Sequence, residues 1–369
     1  MAQQEEGVDK EHSMLNFTVG PVMSSSFVLD IASKDSPYFR TPEFSEVMLE
    51  SERAMLTLLH APEKARCVFL TASGTGAMEA AVMGVLRPAE EALVVNGGSF
   101  GQRFVDLCRL HGHEAREVAL GFGCQVRRRE LEDAITPQTG ALLVNMGETS
   151  SGILYDMPMI AEFCAERDLL LVVDAISTFI ADELDMAALG ADVVITGSQK
   201  ALACHPGVSV IALSERAVRR VDDNPEQCLY LSLKEALKNG KRGQTPWTPA
   251  VTTLLELHER LGSIVTQGIG VERAEIAARA ARVRECLANT SLELVAENPS
   301  NAVSAYRCPR FNARDVIEMA KERYGMWLCP NGGAFADEVF RIGHIGNICQ
   351  PDMDALCVAL LEMSDEGLF

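Results

Sequence analysis

Three segments of the 369-residue chain carry side chains suited to chemistry, and each sits at the end of an apolar run. In TASGTGAMEAA, residues 71–81, a strand-like run turns through Ser73, Gly74, Thr75 and Gly76 into a helical pattern. Small residues let backbone N–H groups approach an anion, hydroxyls add donors, and the helix N-terminus adds partial positive charge. The turn is a candidate cradle for one phosphate group, and it also reads as an ordinary strand–helix turn. No Gly-Lys-Ser/Thr closes it as in a P-loop, and Glu79 stands where a dinucleotide fingerprint has its third glycine. In LLLVVDAIST, Asp174 ends a very apolar strand, where open α/β sheets bind ligands. A carboxylate there is costly without a partner, although it also reads as a cap for the next segment. In DVVITGSQKALACHPG, Lys200 follows another apolar strand among Gly197, Ser198, Ala201 and Ala203. An apolar site lowers an amine's pKa and frees it as a nucleophile; taken alone, Lys200 also reads as a surface loop lysine.

Asp174 and Lys200 lie 26 positions apart (200 − 174), at the ends of two candidate strands, with the phosphate cradle upstream of both. Pyridoxal 5′-phosphate asks for this set: a lysine to form a Schiff base, an acid to hold the pyridine nitrogen protonated, and a phosphate anchor. With the nitrogen protonated, the ring can take up carbanion electrons while the released lysine moves a proton.

Such convergence needs a scaffold, and the apolar pattern supplies one. Candidate strands are CVFLTA (67–72), ALVVN (92–96), EAREVAL (114–120), ALLVNM (141–146), LLLVVDA (169–175), DVVITG (192–197) and VSVIAL (208–213). Helical periodicity lies between several of them, at Ala77–Leu86, Arg103–His111 and Met157–Arg167. Runs such as LLLVVD are apolar on both faces, as a strand covered on both sides requires. The expected fold class is α/β, with a large domain on a mainly parallel, helix-covered sheet. After about Asn224 the pattern changes. CLYLSLKEALKNG reads as a helix ending at Asn239–Gly240, and a long helical tract covers 250–288. Strands at 293–296, 302–308, 326–330 and 338–343, with helices at 312–324 and 351–363, predict a smaller C-terminal α+β domain. The expected division is a disordered leader over 1–13, a large domain with an N-terminal arm over 14–255, and a small domain over 256–369.

Composition narrows the function classes. Lys+Arg total 33 against Asp+Glu 52, a net charge of -19, which argues against a nucleic-acid binder. The basic run Arg127–Arg129 reads as a solvated helix start. No apolar run approaches the ~20 residues that cross a bilayer. The polar, acidic N-terminus shows neither a secretory signal nor a transit peptide. Eleven scattered cysteines without a CxxC pair suit reduced thiols in a cytoplasmic protein, with no metal site.

Nine segments, in order, resemble the class V (fold-type I) pyridoxal-phosphate-dependent aminotransferases, and within them the alanine/serine–glyoxylate and 2-aminoethylphosphonate–pyruvate transaminases. They are NFTVGPV (16–22), RTPEFSEVM (40–48), SGTGAMEA (73–80), VNGGSFGQR (95–103), MGETSSGIL (146–154), VVDAIST (172–178), TGSQKAL (196–202), TPWTPAVT (245–252) and FRIGHIG (340–346). The resemblance implies that Lys200 forms the Schiff base and shuttles the proton, and that Asp174 pairs with the pyridine nitrogen. Ser73, Gly74, Thr75, Gly76 and Gln199 would hold the phosphate. Phe100 would stack on the ring, Ile176 would pack beneath it, and Thr149 would lie near O3′. Thr245 and Thr248 would reach the phosphate of a neighbouring subunit's cofactor, making a homodimer. Arg341 would bind the substrate carboxylate, and Gly20 with Pro21 would form a substrate-side loop. The implied substrates are a small amino donor (alanine, serine or 2-aminoethylphosphonate type) and a small 2-oxo acid, pyruvate or glyoxylate.

Three departures fall at substrate-facing positions: Phe39–Arg40 where many relatives have His-Arg, Thr245 where some have Tyr, and the segment CPNGGAFADEVF before Arg341. Lyases of the same fold, desulfurase or kynureninase-like, are the rival enzyme reading. In them a His commonly precedes the lysine, whereas Gln199 stands here. A non-catalytic member of the fold is expected to have lost Lys200 or Asp174. His205 and His344 read as structural.

Overall fold

A computed structural model describes residues 14–369; the expected leader over 1–13 lies outside the described residues. Seven strands between residues 66 and 213 form one sheet: β1 (Arg66–Thr71), β2 (Glu91–Asn96), β3 (Ala115–Ala119), β4 (Thr139–Asn145), β5 (Leu170–Asp174), β6 (Val193–Gly197) and β7 (Val208–Leu213). Their order is β1-β7-β6-β5-β4-β2-β3. Neighbours are parallel except at β7, which runs antiparallel to both β1 and β6. Every residue of β5, β6 and β7 is buried.

Alternation along these strands feeds two cores. On one face Leu171, Val173 and Val194 meet α1 (Pro42–Leu58), α4 (Met157–Glu166) and α5 (Val251–Gln267). On the other, Leu170, Val172, Val193 and Ile195 meet α2 (Gly74–Val85) and α3 (Ser99–Leu110). A third core lies in the C-terminal part, where β8 (Glu293–Leu294), β9 (Val303–Arg307), β10 (Cys329–Pro330) and β11 (Val339–Gly343) form an antiparallel sheet in the order β8-β9-β11-β10. Helices α7 (Ala313–Tyr324) and α8 (Gln350–Asp365) cover it. Helix α6 (Ile269–Leu287) links the parts: Ile276 is buried in the first core, Val283 and Leu287 in the third.

Several elements differ from their sequence patterns. The 250–288 tract is two helices, broken at Gly268, whose φ of +90° favours glycine. Leu257, Leu261 and Ile264 of α5 lie in the first core, although the sequence assigns them to the smaller domain; helical periodicity reveals a buried stripe, not which core receives it. The segment CLYLSLKEALKNG is helical only over Leu233–Gly240, because the Ser232 hydroxyl accepts the N–H of Glu235 and caps the helix there. MWLCP is not one strand. Met326–Trp327 pairs in parallel with the N-terminal arm at Leu15–Asn16, while Cys329–Pro330 pairs with β11. Phe17 thereby sits in the C-terminal core. Arg128 starts a short helix and pairs with Glu132, Glu162 and Glu166, so this part of the basic run is neutralised locally.

Candidate active site

Parallel strands β5 and β6 deliver their C-terminal ends to one sheet edge, and α2 begins at the same edge. Asp174, the last residue of β5, is 5% exposed. Its Oδ1 accepts the Ile176 N–H at 2.8 Å, and its Oδ2 accepts Asn145 Nδ2 at 2.6 Å. Asn145 is its register partner on β4, and Asn145 Oδ1 is itself buried without a hydrogen-bond partner among the described residues. Burial pushes the Asp174 carboxyl up to about 6; the Ile176 and Asn145 donors and the charge of Arg103 oppose this, and Glu148 adds to it.

Lys200 follows β6. Its Nζ donates to the Val19 carbonyl at 2.5 Å, which ties the N-terminal arm to the site. Burial brings the ammonium down to about 8; Cys329 and Asp174 oppose the shift, and Arg341 and Arg103 reinforce it. The arm passes so close that only glycine fits at position 20. Its φ is +114°, and a Cβ would fall 2.7 Å from Lys200 Cδ and 2.9 Å from Nζ.

At the turn into α2, Ser73 occupies the cap position without a side-chain cap bond, so the N–H groups of Gly74, Thr75 and Gly76 face outward from the helix start. A Cβ on Gly74 would meet Ile176 Cδ1 at 2.3 Å, so Ile176 packs directly on the turn. Phe100 is half-buried at the start of α3, with the Arg103 guanidinium 4.8 Å from its ring centroid. Thr149 is buried; its hydroxyl donates to Ser177 Oγ at 3.0 Å and its carbonyl accepts Arg341 Nη1 at 3.1 Å. Arg341 Nη2 donates to the Pro330 carbonyl at 2.6 Å, and its buried Nε has no partner among the described residues. Gln199 stays close to its own strand, 2.9 Å from where a Cβ on Gly197 would lie.

Two expected residues stand apart within one chain. The Thr245 hydroxyl donates to the Trp247 carbonyl at 2.7 Å, and Thr248 is exposed. Among the described residues neither bonds to the turn at 73–76 or to Lys200. Their segment is held instead by Arg40, which donates to Gln244 Oε1 at 3.0 Å and to the Thr245 carbonyl at 2.8 Å. His205 pairs with buried Glu256 at 2.9 Å, and buried His344 bonds Ser304 Oγ at 3.0 Å, so both are structural.

Residues outside the sequence-derived set also shape the site. Glu148 is 1% exposed, and its Oε2 accepts the N–H groups of Phe100 at 3.1 Å and Gly101 at 3.0 Å, capping α3 and holding the backbone that carries Phe100. Asn145, Arg103 and Cys329 are likewise new. A readable signal existed for Arg103, which lies three residues after Phe100 on a helix and so shares its face.

A buried carboxylate with N–H donors and, among the described residues, no ion-pair partner, an amine of lowered pKa, and open helix N–H groups fit pyridoxal phosphate. Asp174 suits the pyridinium, Lys200 the aldehyde, and residues 73–76 the phosphate.

Known proteins agree with this fold. The family model for class-V aminotransferases matches residues 35–239, more than half of the chain, and the chain belongs to that family. It is a pyridoxal-phosphate-dependent transaminase of fold-type I. The chain is 29% identical over 351 residues to a protein from Anabaena cylindrica described as the soluble hydrogenase 42 kDa subunit, covering 93% of this chain and 91% of that one. It is 27% identical over 340 residues to the L-aspartate–glyoxylate aminotransferase of Paracoccus denitrificans, covering 89% and 86%. Its fold superposes on the subgroup IV aspartate aminotransferase of Thermus thermophilus with a TM-score of 0.89 at 28% identity, covering 95% and 99%.

Proposed function

We propose that this transaminase moves the amino group of a small donor, of the alanine, serine or 2-aminoethylphosphonate type, to a small 2-oxo acid such as glyoxylate or pyruvate, in a ping-pong cycle. The observation that carries the site assignment is the meeting of the Lys200 amine and the Asp174 carboxylate at one sheet edge, within reach of the charge of Arg341 on β11, which among the described residues has no carboxylate partner. Glyoxylate is favoured as acceptor by the name of the Paracoccus relative.

Pyridoxal phosphate, when bound, supplies an aldehyde for amine exchange and a ring that accepts electrons from the carbon losing its proton. The chain's residues do the rest. Asp174 holds a proton on the pyridine nitrogen, with Asn145 and the Ile176 N–H keeping the carboxylate oriented. The low pKa of Lys200 would leave a neutral amine available near pH 8, able to take the substrate's α-proton and to give it back as an acid. Arg341, fixed by the Thr149 and Pro330 carbonyls, receives the substrate carboxylate. Phe100 and Ile176 close the two ring faces against water. Thr245 and Thr248 reach the phosphate site of a second subunit in a cytoplasmic homodimer.

A half-reaction screen tests the reading. The purified holoenzyme is mixed with alanine, serine, aspartate or 2-aminoethylphosphonate, and the visible cofactor band is followed. At least one donor should bleach it, and glyoxylate or pyruvate should restore it. A band inert to all four donors would overturn the donor class, and a monomer in sedimentation would overturn the shared site.

A further inference from the structure

We propose that Arg103 is the countercharge for the cofactor's phosphate, a role that rests on the phosphate lying at residues 73–76. A phosphate monoester carries nearly two negative charges at neutral pH. Taking such a dianion out of water is costly unless a cation or several donors compensate. Yet Ser73, Gly74, Thr75, Gly76 and Gln199 are all uncharged, and so are Thr245 and Thr248, which a second subunit would bring. The helix N-terminus contributes only about half a unit of charge.

Arg103 fills that gap. Its Nη1 donates to Thr75 Oγ1 at 3.1 Å, which places the guanidinium beside the turn. Its Cζ lies over the Phe100 ring, 4.8 Å from the centroid, a contact that pre-orients the group at little entropic cost. Ion pairs run through this acidic protein: Arg109, on the same helix, pairs with Glu117, and Arg116 pairs with Glu91. Among the described residues Arg103 has no carboxylate within ion-pair distance. A half-buried guanidinium held by a neutral hydroxyl and an aromatic face in a chain of charge -19 is a cation kept free for an anion. Thr75 holds it in place, and a bound phosphate would take up the Nη donors that the protein leaves open.

The experiment compares two ligands that differ by the phosphate alone. Wild-type apoenzyme, Arg103→Met and Arg103→Lys are titrated with pyridoxal 5′-phosphate and with pyridoxal, and the dissociation constants are read from absorbance. Arg103→Met should weaken pyridoxal 5′-phosphate by roughly 10- to 100-fold, the range for a lost charge-assisted hydrogen bond, and leave pyridoxal unchanged within about 2-fold. Arg103→Lys should recover part of the loss. Inorganic phosphate should compete with the cofactor in wild type and not in Arg103→Met. Equal losses for both ligands would move Arg103 to the ring or to Asp174 and overturn the proposal, and so would an unchanged cofactor affinity. A wild-type apoenzyme that holds pyridoxal as tightly as pyridoxal 5′-phosphate would refute the phosphate site itself, and the proposal with it.

Discussion

Replacing Asp174 by Asn should move stability and activity in opposite directions. In the protein without cofactor, burial raises the Asp174 carboxyl from 3.8 to about 6. A shift of roughly two units, at about 1.4 kcal/mol each, means that keeping the carboxylate ionised costs the folded state about 3 kcal/mol. The sign follows from proton binding. Between pH 3.8 and about 6 the folded chain holds a proton that the unfolded chain has lost, so this group's contribution to stability falls as pH rises through that window and levels off above it. Asn does not titrate. Its Oδ1 can keep the Ile176 N–H, and its amide can donate to Asn145 once that side chain turns, using the Oδ1 that now has no partner. Discounting for imperfect hydrogen bonds, the variant apoprotein should be more stable than wild type by about 1–3 kcal/mol at pH 8 and nearly equal near pH 4. Loss of the partner for the pyridinium should lower kcat by about 100-fold or more, the cost of removing one member of a buried charge pair. Urea unfolding of both apoproteins at pH 4, 5, 6 and 8, beside steady-state rates, measures both quantities. A stability gap that does not vary with pH, or a variant weaker than wild type at pH 8, would refute the electrostatic account of the strand end.

Arg341→Ala should raise KM for carboxylate donors by roughly 10- to 100-fold with a smaller change in kcat; an equal loss with 2-aminoethylphosphonate would show that the guanidinium is not reserved for carboxylates. Labelling of the Lys200 amine in the apoenzyme, by borohydride trapping of pyridoxal, should rise with pH around a midpoint near 8, and a midpoint near 10.5 would refute the burial of that amine. In Arg341→Ala the midpoint should move up, because Arg341 disfavours the ammonium. The same low pKa implies that the apoprotein gains stability between about pH 8 and 10.5, where the unfolded chain still holds the lysine proton. Gly20→Ala should destabilise the protein by about 2 kcal/mol or more and weaken cofactor binding, since its Cβ falls on Lys200 and its φ is +114°; wild-type cofactor affinity in that variant would show that the arm moves freely.

What the sequence reveals here follows from range. Runs such as LLLVVD declare a strand covered on both faces, and Asp174 and Lys200 declare themselves because a charged residue closes or follows such a run. These are local signals, and the strands, the sheet edge and the placement of Asp174 and Lys200 beside it follow from them. Glu148 and Arg103 act through partners 47 to 48 and 28 residues away, so their environments exist only after β4, α2 and α3 have assembled. The two-residue pairing of Leu15–Asn16 with Met326–Trp327 spans nearly the whole chain and has too few residues to show a period. That pairing continues into the arm that carries Val19 and Gly20 to Lys200. The register of a distant strand pair thus feeds directly into the position of the reactive amine. A local reading can identify the lysine, but the backbone that sets its proton affinity and its reach arrives from the other end of the protein.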